Sequence, residues 1–283
     1  MKNGLILEGG AMRGLFTAGV MDVLMENKIE FDGAIGVSAG AVFGCNYKSE
    51  QIGRVLRYNA KFSRDKRYCS IHSLLTTGNI YNTDFCYGEL PLKLDVFDFD
   101  AYEKNPMEFY VVCTDIEKGC AVYHKYTGRD DHGFDWLRAS ASMPIVSQIV
   151  EIDGQKLLDG GITDSIPIKF FESIGYRHNV AILTQPSEYR KEKNRALPII
   201  KRKYSNYPKL VEAMGKRHIM YNKEVEYAEK EKSAGNLFVI QPERKLPIGR
   251  IEKDPEKLRL VYKIGRKTAK KNLSALKEFL DHK

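Results

Sequence analysis

Apolar residues come first as a short continuous run. "GLILEGG", residues 4–10, reads as a buried strand that ends at glycines. "RGLFTAGVMDVLMEN" follows with Leu15, Val20, Val23 and Leu24 at helical spacing. "FDGAIGVS" is a second strand and "AGAVFGCNYK" opens a second helix. Strand, helix, strand, helix in that order predicts parallel strands joined by a right-handed crossover. Both strands then end on the same edge of the sheet, where open α/β sheets hold their sites.

Residues 50–105 lose this regularity, and 60–90 within them are a candidate cover for a site. "EFYVVCTDIEKGCAVYH" predicts two strands joined near "EKG". "FDWLRASASMPIV" predicts a helix stopped by Pro144. "IVEIDGQKLLDGG" has two extended runs separated by Asp153-Gly154, a hairpin signal. "IPIKFFESIGY" reads as a helix and "HNVAILTQP" as a strand. We place a catalytic domain over residues 4–185 and a basic, mainly helical extension over 186–283. That extension also holds a strand, "NLFVIQPE", and a last helix with Asp254 as its cap and Pro255 in its first turn.

Charge sharpens the division. Residues 186–283 carry 26 Lys/Arg against 13 Asp/Glu, whereas residues 1–185 carry 19 against 24. This asymmetry fits an anionic phospholipid surface, and equally a solvated helical face. No zinc-finger spacing or RNA-binding signature points to nucleic acid. Five cysteines without a Cys-x-x-Cys argue against a disulfide framework or zinc knuckle and for reduced thiols in a cytosol. No apolar run reaches about eighteen residues, so no membrane-spanning helix is expected, and no secretory signal is expected either.

Candidate chemistry centres on Gly36-Val37-Ser38-Ala39-Gly40, a Gly-x-Ser-x-Gly between a predicted strand and helix. A sharp turn there lifts the serine oxygen above the sheet edge, and small neighbours make room for it. The following helix aims its first N–H groups at any oxyanion that forms. A second glycine-rich turn, Gly9, Gly10, Ala11, Met12, Arg13 and Gly14, supplies unobstructed amides and one positive charge. The same turn, as Gly9-x-Ala11-x-x-Gly14 with Asp32 downstream, also admits a dinucleotide reading, which leaves Ser38 unexplained. For the base, Asp159 before Gly160 and Gly161 ends an extended run, and partial desolvation would suit its carboxylate to take a serine proton. Histidines offer the alternative of an α/β-hydrolase-type esterase, but none of His72, His124, His132, His178, His218 and His282 has a persuasive setting. His178 follows a plausible acid yet starts a strand on the wrong edge.

Taken together, the loop at 9–14, the motif at 36–40, Asp-Gly-Gly at 159–161 and "SASMPIV" at 140–146 resemble the patatin-like phospholipase family, in the family's order and over roughly residues 4–185. The resemblance implies a three-layer α/β/α fold with a mainly parallel sheet. It implies a Ser38–Asp159 dyad, an oxyanion held by the amides of Gly10 and Ala11 helped by Arg13, and neither metal nor organic cofactor. The implied activity is hydrolysis of lipid acyl esters through an acyl-enzyme, with a lipid substrate and peripheral contact with an anionic membrane as the candidate partners. A non-catalytic lipid-binding module is the further alternative. Ala11 departs from the family, whose loop commonly has a third glycine there, and alanine restricts the backbone angles available.

Overall fold

The structure, a computed structural model, describes residues 2–281, so His282 lies outside the described residues. Five parallel strands form the centre of the sheet: β1 (Lys2–Leu7), β2 (Gly33–Val37), β3 (Glu108–Asp115), β7 (Tyr176–Ile182) and β8 (Leu237–Ile240), in the order β3-β2-β1-β7-β8. Three antiparallel strands extend it: β4 (Cys120–Lys125) on β3, and the hairpin of β5 (Val150–Ile152) and β6 (Gln155–Asp159), whose second strand also pairs with β3. That hairpin turns at Asp153 and Gly154, both at positive φ, as the Asp-Gly signal predicts.

Register on β3 decides where the site lies. Val37, the last residue of β2, pairs with Val112, and Asp159, the last residue of β6, pairs with Cys113. β4 pairs with Tyr110 through Asp115 and so occupies one whole edge of β3. β2 and β6 must therefore share the other edge, each strand having only two. They run in opposite directions and meet tip to tip between Val112 and Cys113.

Alternation along the strands divides the core into two layers. Leu5, Leu7, Ala34, Val111 and Cys113 face one side, packed beneath α1 (Gly14–Glu26), α2 (Ala39–Lys48) and α6 (Asp135–Ser140). Ile6, Ile35, Val37 and Val112 face the other, packed against α7 (Ile168–Ser173) and α9 (Pro208–Ser233). The result is the three-layer α/β/α arrangement. Between residues 50 and 105 the chain forms α3 (Arg54–Phe62), α4 (Ile71–Thr77), a π-helical segment at Asp84–Leu94 and α5 (Phe99–Lys104). α8 (Leu197–Lys203) and α10 (Pro255–Asp281) complete the fold.

Two details differ from the sequence reading. The helix before Pro144 ends at Ser140, because the next residues turn to receive the end of β6, where the Asp159 N–H donates to the Ser142 carbonyl at 2.9 Å. α1 has no solvent face over most of its length: every residue from Gly14 to Leu24 is buried. Its outer side is covered by α10, which comes from the basic C-terminal portion, as does β8. Asp22 stays buried there because Tyr262 and the Gly53 amide both donate to it.

Close approach of α1 and α10 requires glycine. A Cβ on Gly19 would stand 2.1 Å from the Tyr262 carbonyl oxygen, and one on Gly265 equally near that of Phe16. Neither backbone can retreat without parting the helices. We predict that Gly265→Ala lowers the unfolding free energy by roughly 1–3 kcal/mol. Urea denaturation checks this, and an unchanged midpoint would contradict the packing.

Candidate active site

Ser38 links β2 to α2 at φ 55 and ψ −123, a left-handed conformation that costs an L-residue roughly 1–3 kcal/mol. Three close approaches hold it there. A Cβ on Gly36 would lie 2.5 Å from the Gly40 carbonyl oxygen, one on Gly40 2.2 Å from that of Leu7, and one on Gly9 2.9 Å from the Ser38 Cβ. Bulkier residues at these positions would force the turn open. The carbonyl of Ser38 accepts the first helical bonds of α2, from Ala41 and Val42 at 2.9 and 3.1 Å.

The segment "SASMPIV" supports both tips. Ser140 Oγ accepts the Ser38 N–H at 2.9 Å and donates to the Val112 carbonyl at 2.6 Å. Two residues on, the Ser142 carbonyl takes the Asp159 N–H. One short stretch thus fixes the backbone of Ser38 and of Asp159 against the same point of β3. Thr114 Oγ1 adds a bond to the Asp159 carbonyl at 2.8 Å.

Asp159 is 1% exposed. Its Oδ1 accepts the Gly161 N–H at 2.8 Å, while Oδ2 has no formed hydrogen bond among the described residues. Gly160 lets the chain turn there, since a Cβ would meet the Val112 carbonyl oxygen at 2.1 Å. Burial raises the Asp159 pKa above its ordinary value of 3.8. The Arg217 guanidinium opposes that rise, followed by the Ser38 hydroxyl and the Gly161 amide. Ser38 and Asp159 line one cavity of about 750 Å³.

The glycine loop faces the same cavity through Gly9, Gly10, Ala11 and Arg13. Ala11 sits at φ 49, so the chain accepts here the conformation that glycine would adopt freely. The N–H groups of Gly10 and Ala11 have no protein partner among the described residues, whereas that of Arg13 closes the turn onto the Gly10 carbonyl at 3.1 Å. Met12 is buried and its N–H reaches the Arg250 carbonyl at 3.4 Å. Gly14 starts α1 against Phe43 and Ala39.

Two alternatives meet geometric obstacles. Asp32 precedes β2 and accepts the Asn3 N–H at 2.7 Å, so it lies at the N-terminal edge of the sheet, opposite the glycine loop. It is out of reach of any ribose bound there. His178 pairs with Asn3 on the same far edge and stacks on Phe279, as its place at a strand start predicts. The histidine that does line the Ser38 cavity is His218, on α9.

Sequence reasoning missed several contributors. Glu8 is buried and accepts from the Thr184 N–H at 2.6 Å and the Tyr221 hydroxyl at 2.8 Å, tying the glycine loop to β7 and α9. Arg217 and Lys191 reach the cavity from the basic portion of the chain. A lone Glu and scattered basic residues carry no local pattern: Glu8 follows β1 into the site, while the packing of α9 across the sheet brings Arg217 and holds Lys191 through Asn222.

A second cavity, about 160 Å³, also reaches Ser38 and is mainly apolar, with Phe43, Tyr58, Ile80, Leu90 and Leu137 among its walls. The irregular stretch that includes 60–90 thus forms part of its lining. No helix of the described residues is long and apolar enough to cross a membrane.

Ser140→Ala would leave the half-buried N–H of Ser38 without its acceptor. We predict a loss of about 1–3 kcal/mol in unfolding free energy, measured by chemical denaturation. A change within experimental error would show that the turn does not depend on this bond.

The sequence model of the patatin-like phospholipase family matches residues 5–171, and that of a domain of unknown function, DUF6363, matches residues 207–281. YjjU, an uncharacterized protein of Escherichia coli, is 28% identical over 99% of this chain and 79% of its own length. Lysophospholipase nte1 of Aspergillus niger is 28% identical over 61% of this chain, which spans only 11% of that protein. The crystal structure of VipD from Legionella pneumophila aligns over 97% of this chain and 67% of its own, with TM-score 0.48 and 13% identity. With more than half of its length matched by the family's own model, the chain belongs to the patatin-like phospholipase family.

Proposed function

We propose that this protein is a serine lipid acyl hydrolase that cleaves carboxylic esters of phospholipids or related lipids through Ser38 and Asp159. The observation that carries the reading is the meeting of β2 and β6 on one edge of β3, which brings the strained serine and a buried carboxyl into one cavity. Family membership and the lysophospholipase relatives support the reaction class. As a peripheral enzyme it would take its substrate from a lipid surface.

Ser38 Oγ attacks the ester carbonyl while Asp159 Oδ2, the carboxylate oxygen with no bond of its own, accepts the hydroxyl proton. Negative charge grows on the carbonyl oxygen against the unpaired amides of Gly10 and Ala11, with Arg13 beside them. Asp159 returns its proton to the departing alcohol. Water then attacks the acyl carbonyl and gives a proton to Asp159, which passes it to Ser38 Oγ as the acyl–oxygen bond breaks and the fatty acid leaves. The apolar cavity receives the acyl chain.

Burial serves this chemistry. An ordinary aspartate is too weak a base to take a serine proton readily, and desolvation strengthens it. The same shift weakens the fold. With a folded pKa above the unfolded one, Asp159 favours the folded state while protonated, and that contribution is lost as pH rises through the folded value.

Ser38→Ala and Asp159→Asn are each expected to lower ester hydrolysis by about 10²–10⁴-fold, with unchanged circular dichroism. His218→Ala is expected to retain activity; its loss together with a fully active Asp159→Asn would move the assignment to a histidine base. Asp159 must be ionised to act, so activity should fall as pH drops through a value above 3.8. Arg217→Met removes the largest influence holding that pKa down and should move the acid limb to higher pH. A limb unmoved in a pH–rate profile would separate Arg217 from the base.

A further inference from the structure

The larger cavity has a charge pattern that ester cleavage alone does not require. Arg13, Lys191, Arg217 and Arg250 all line it. None of the four has a carboxylate within ion-pair distance among the described residues, although many other Lys and Arg side chains there do, Arg57 with Asp95 and Arg190 with Glu229 among them. Of the carboxylates around the cluster, Glu8 accepts from Thr184 and Tyr221, Glu192 pairs with Arg195, and Asp159 and Glu224 attract Arg217 without reaching ion-pair distance.

Contacts with the protein anchor three of these cations and leave N–H donors unengaged. Arg217 Nε donates to the Gly161 carbonyl at 2.5 Å, and its terminal nitrogens have no hydrogen-bond partner among the described residues. Lys191 is anchored by its backbone, which donates to Asn222 Oδ1 at 2.8 Å and accepts from Asn222 Nδ2 at 3.2 Å, and its ammonium sits 4.1 Å from the centre of the Tyr221 ring. Arg250 is fixed by the bond from Met12 to its carbonyl. Arg13 Nε is buried without a partner. Burial and then the Arg217 charge, with smaller contributions from Arg13 and Arg250, bring the Lys191 pKa down to about 7. Cations so crowded repel one another, and an anion among them would relieve the repulsion.

We infer that this cluster is a phosphate subsite for the lipid headgroup, built mainly by the C-terminal portion of the chain, and that it makes the enzyme selective for anionic phospholipids over neutral acylglycerols. Three of the four cations, Lys191, Arg217 and Arg250, lie beyond residue 186. Guanidinium forks suit the several acceptor oxygens of a phosphate. The two cavities meet at Ser38, one apolar and one cationic, and this matches a molecule with an acyl chain on one side of its ester and a phosphate on the other. The inference rests on the hydrolase reading for its substrate, but its binding arm does not.

In the binding arm, Ser38→Ala protein is titrated calorimetrically with glycerol 3-phosphate, glycerol and inorganic phosphate, and then again after adding Lys191→Met and Arg250→Met. We expect glycerol 3-phosphate to bind, glycerol not to bind, and the two added substitutions to weaken binding roughly ten- to hundredfold. In the kinetic arm, kcat/KM is compared for lysophosphatidylglycerol and a monoacylglycerol of the same chain length. The phospholipid should be preferred, and the Lys191→Met, Arg250→Met variant should lose that preference by a similar factor, mainly through KM. No binding of glycerol 3-phosphate, or a preference that survives the substitutions, overturns the subsite. Inorganic phosphate binding as tightly as glycerol 3-phosphate, with no kinetic preference, overturns its assignment to a headgroup. Intact glycerol 3-phosphate binding in a protein that hydrolyses neither lipid would instead count against the hydrolase reading and leave the phosphate site standing.

Discussion

The edge of β3 is shared by two strands that arrive from opposite directions, and the rest of the site depends on that sharing. β2 stops opposite Val112 and β6 stops opposite Cys113. Neither can extend without displacing the other, so both chains must leave the sheet at this point. One leaves through a strained serine into α2, and the other through Asp159 and two glycines. Hydrogen-bond register, with buried apolar layers on both faces of the sheet, therefore fixes the relative position of two residues far apart in sequence. Ser140 and Ser142 then pin the backbone on either side of the junction. Preorganisation of this kind lets a reaction proceed without reordering the site.

Electrostatics at the junction runs against stability. A carboxyl that is 1% exposed, a partly buried guanidinium and a lysine brought down to about pKa 7 all sit where burial disfavours charge. Burial lowers the Arg217 pKa, while its attraction to Asp159 works in the opposite direction. Burial thus opposes charge on both groups, and their mutual attraction favours the ionised form of each. The surrounding layers tolerate this because they are otherwise apolar and closely packed, with α10 sealed onto α1 through Gly19 and Gly265. The basic C-terminal portion contributes a strand, a covering helix and cationic side chains to the cavity, so it belongs to the architecture of the site.

Much of the fold was legible because local pattern and tertiary role agree. β1, β2 and α2 follow directly from apolar runs punctuated by glycine, and Asp153-Gly154 makes the hairpin turn its sequence suggests. Gly36, Gly40 and Gly160 signal close approach, and each does face a backbone carbonyl oxygen. Other features had no local signature. That α1 is buried on every side depends on α10, more than 200 residues away, and the tip-to-tip register depends on where β2 ends. Helix α6 ends before Pro144 because Ser142 is needed by Asp159, which no propensity encodes. Arg217 and Lys191 looked like parts of a charged surface until α9 carried Arg217 across the sheet and held Lys191 through Asn222.

The most direct test of the central claim is the rate at which a serine-reactive phosphonate labels Ser38, followed by mass spectrometry of the modified peptide across a range of pH. The account predicts a single label on Ser38, formed faster as pH rises through a value above 3.8, and slowed by orders of magnitude in Asp159→Asn. Labelling at another residue, or labelling of Ser38 at the same rate without the Asp159 carboxylate, would contradict it.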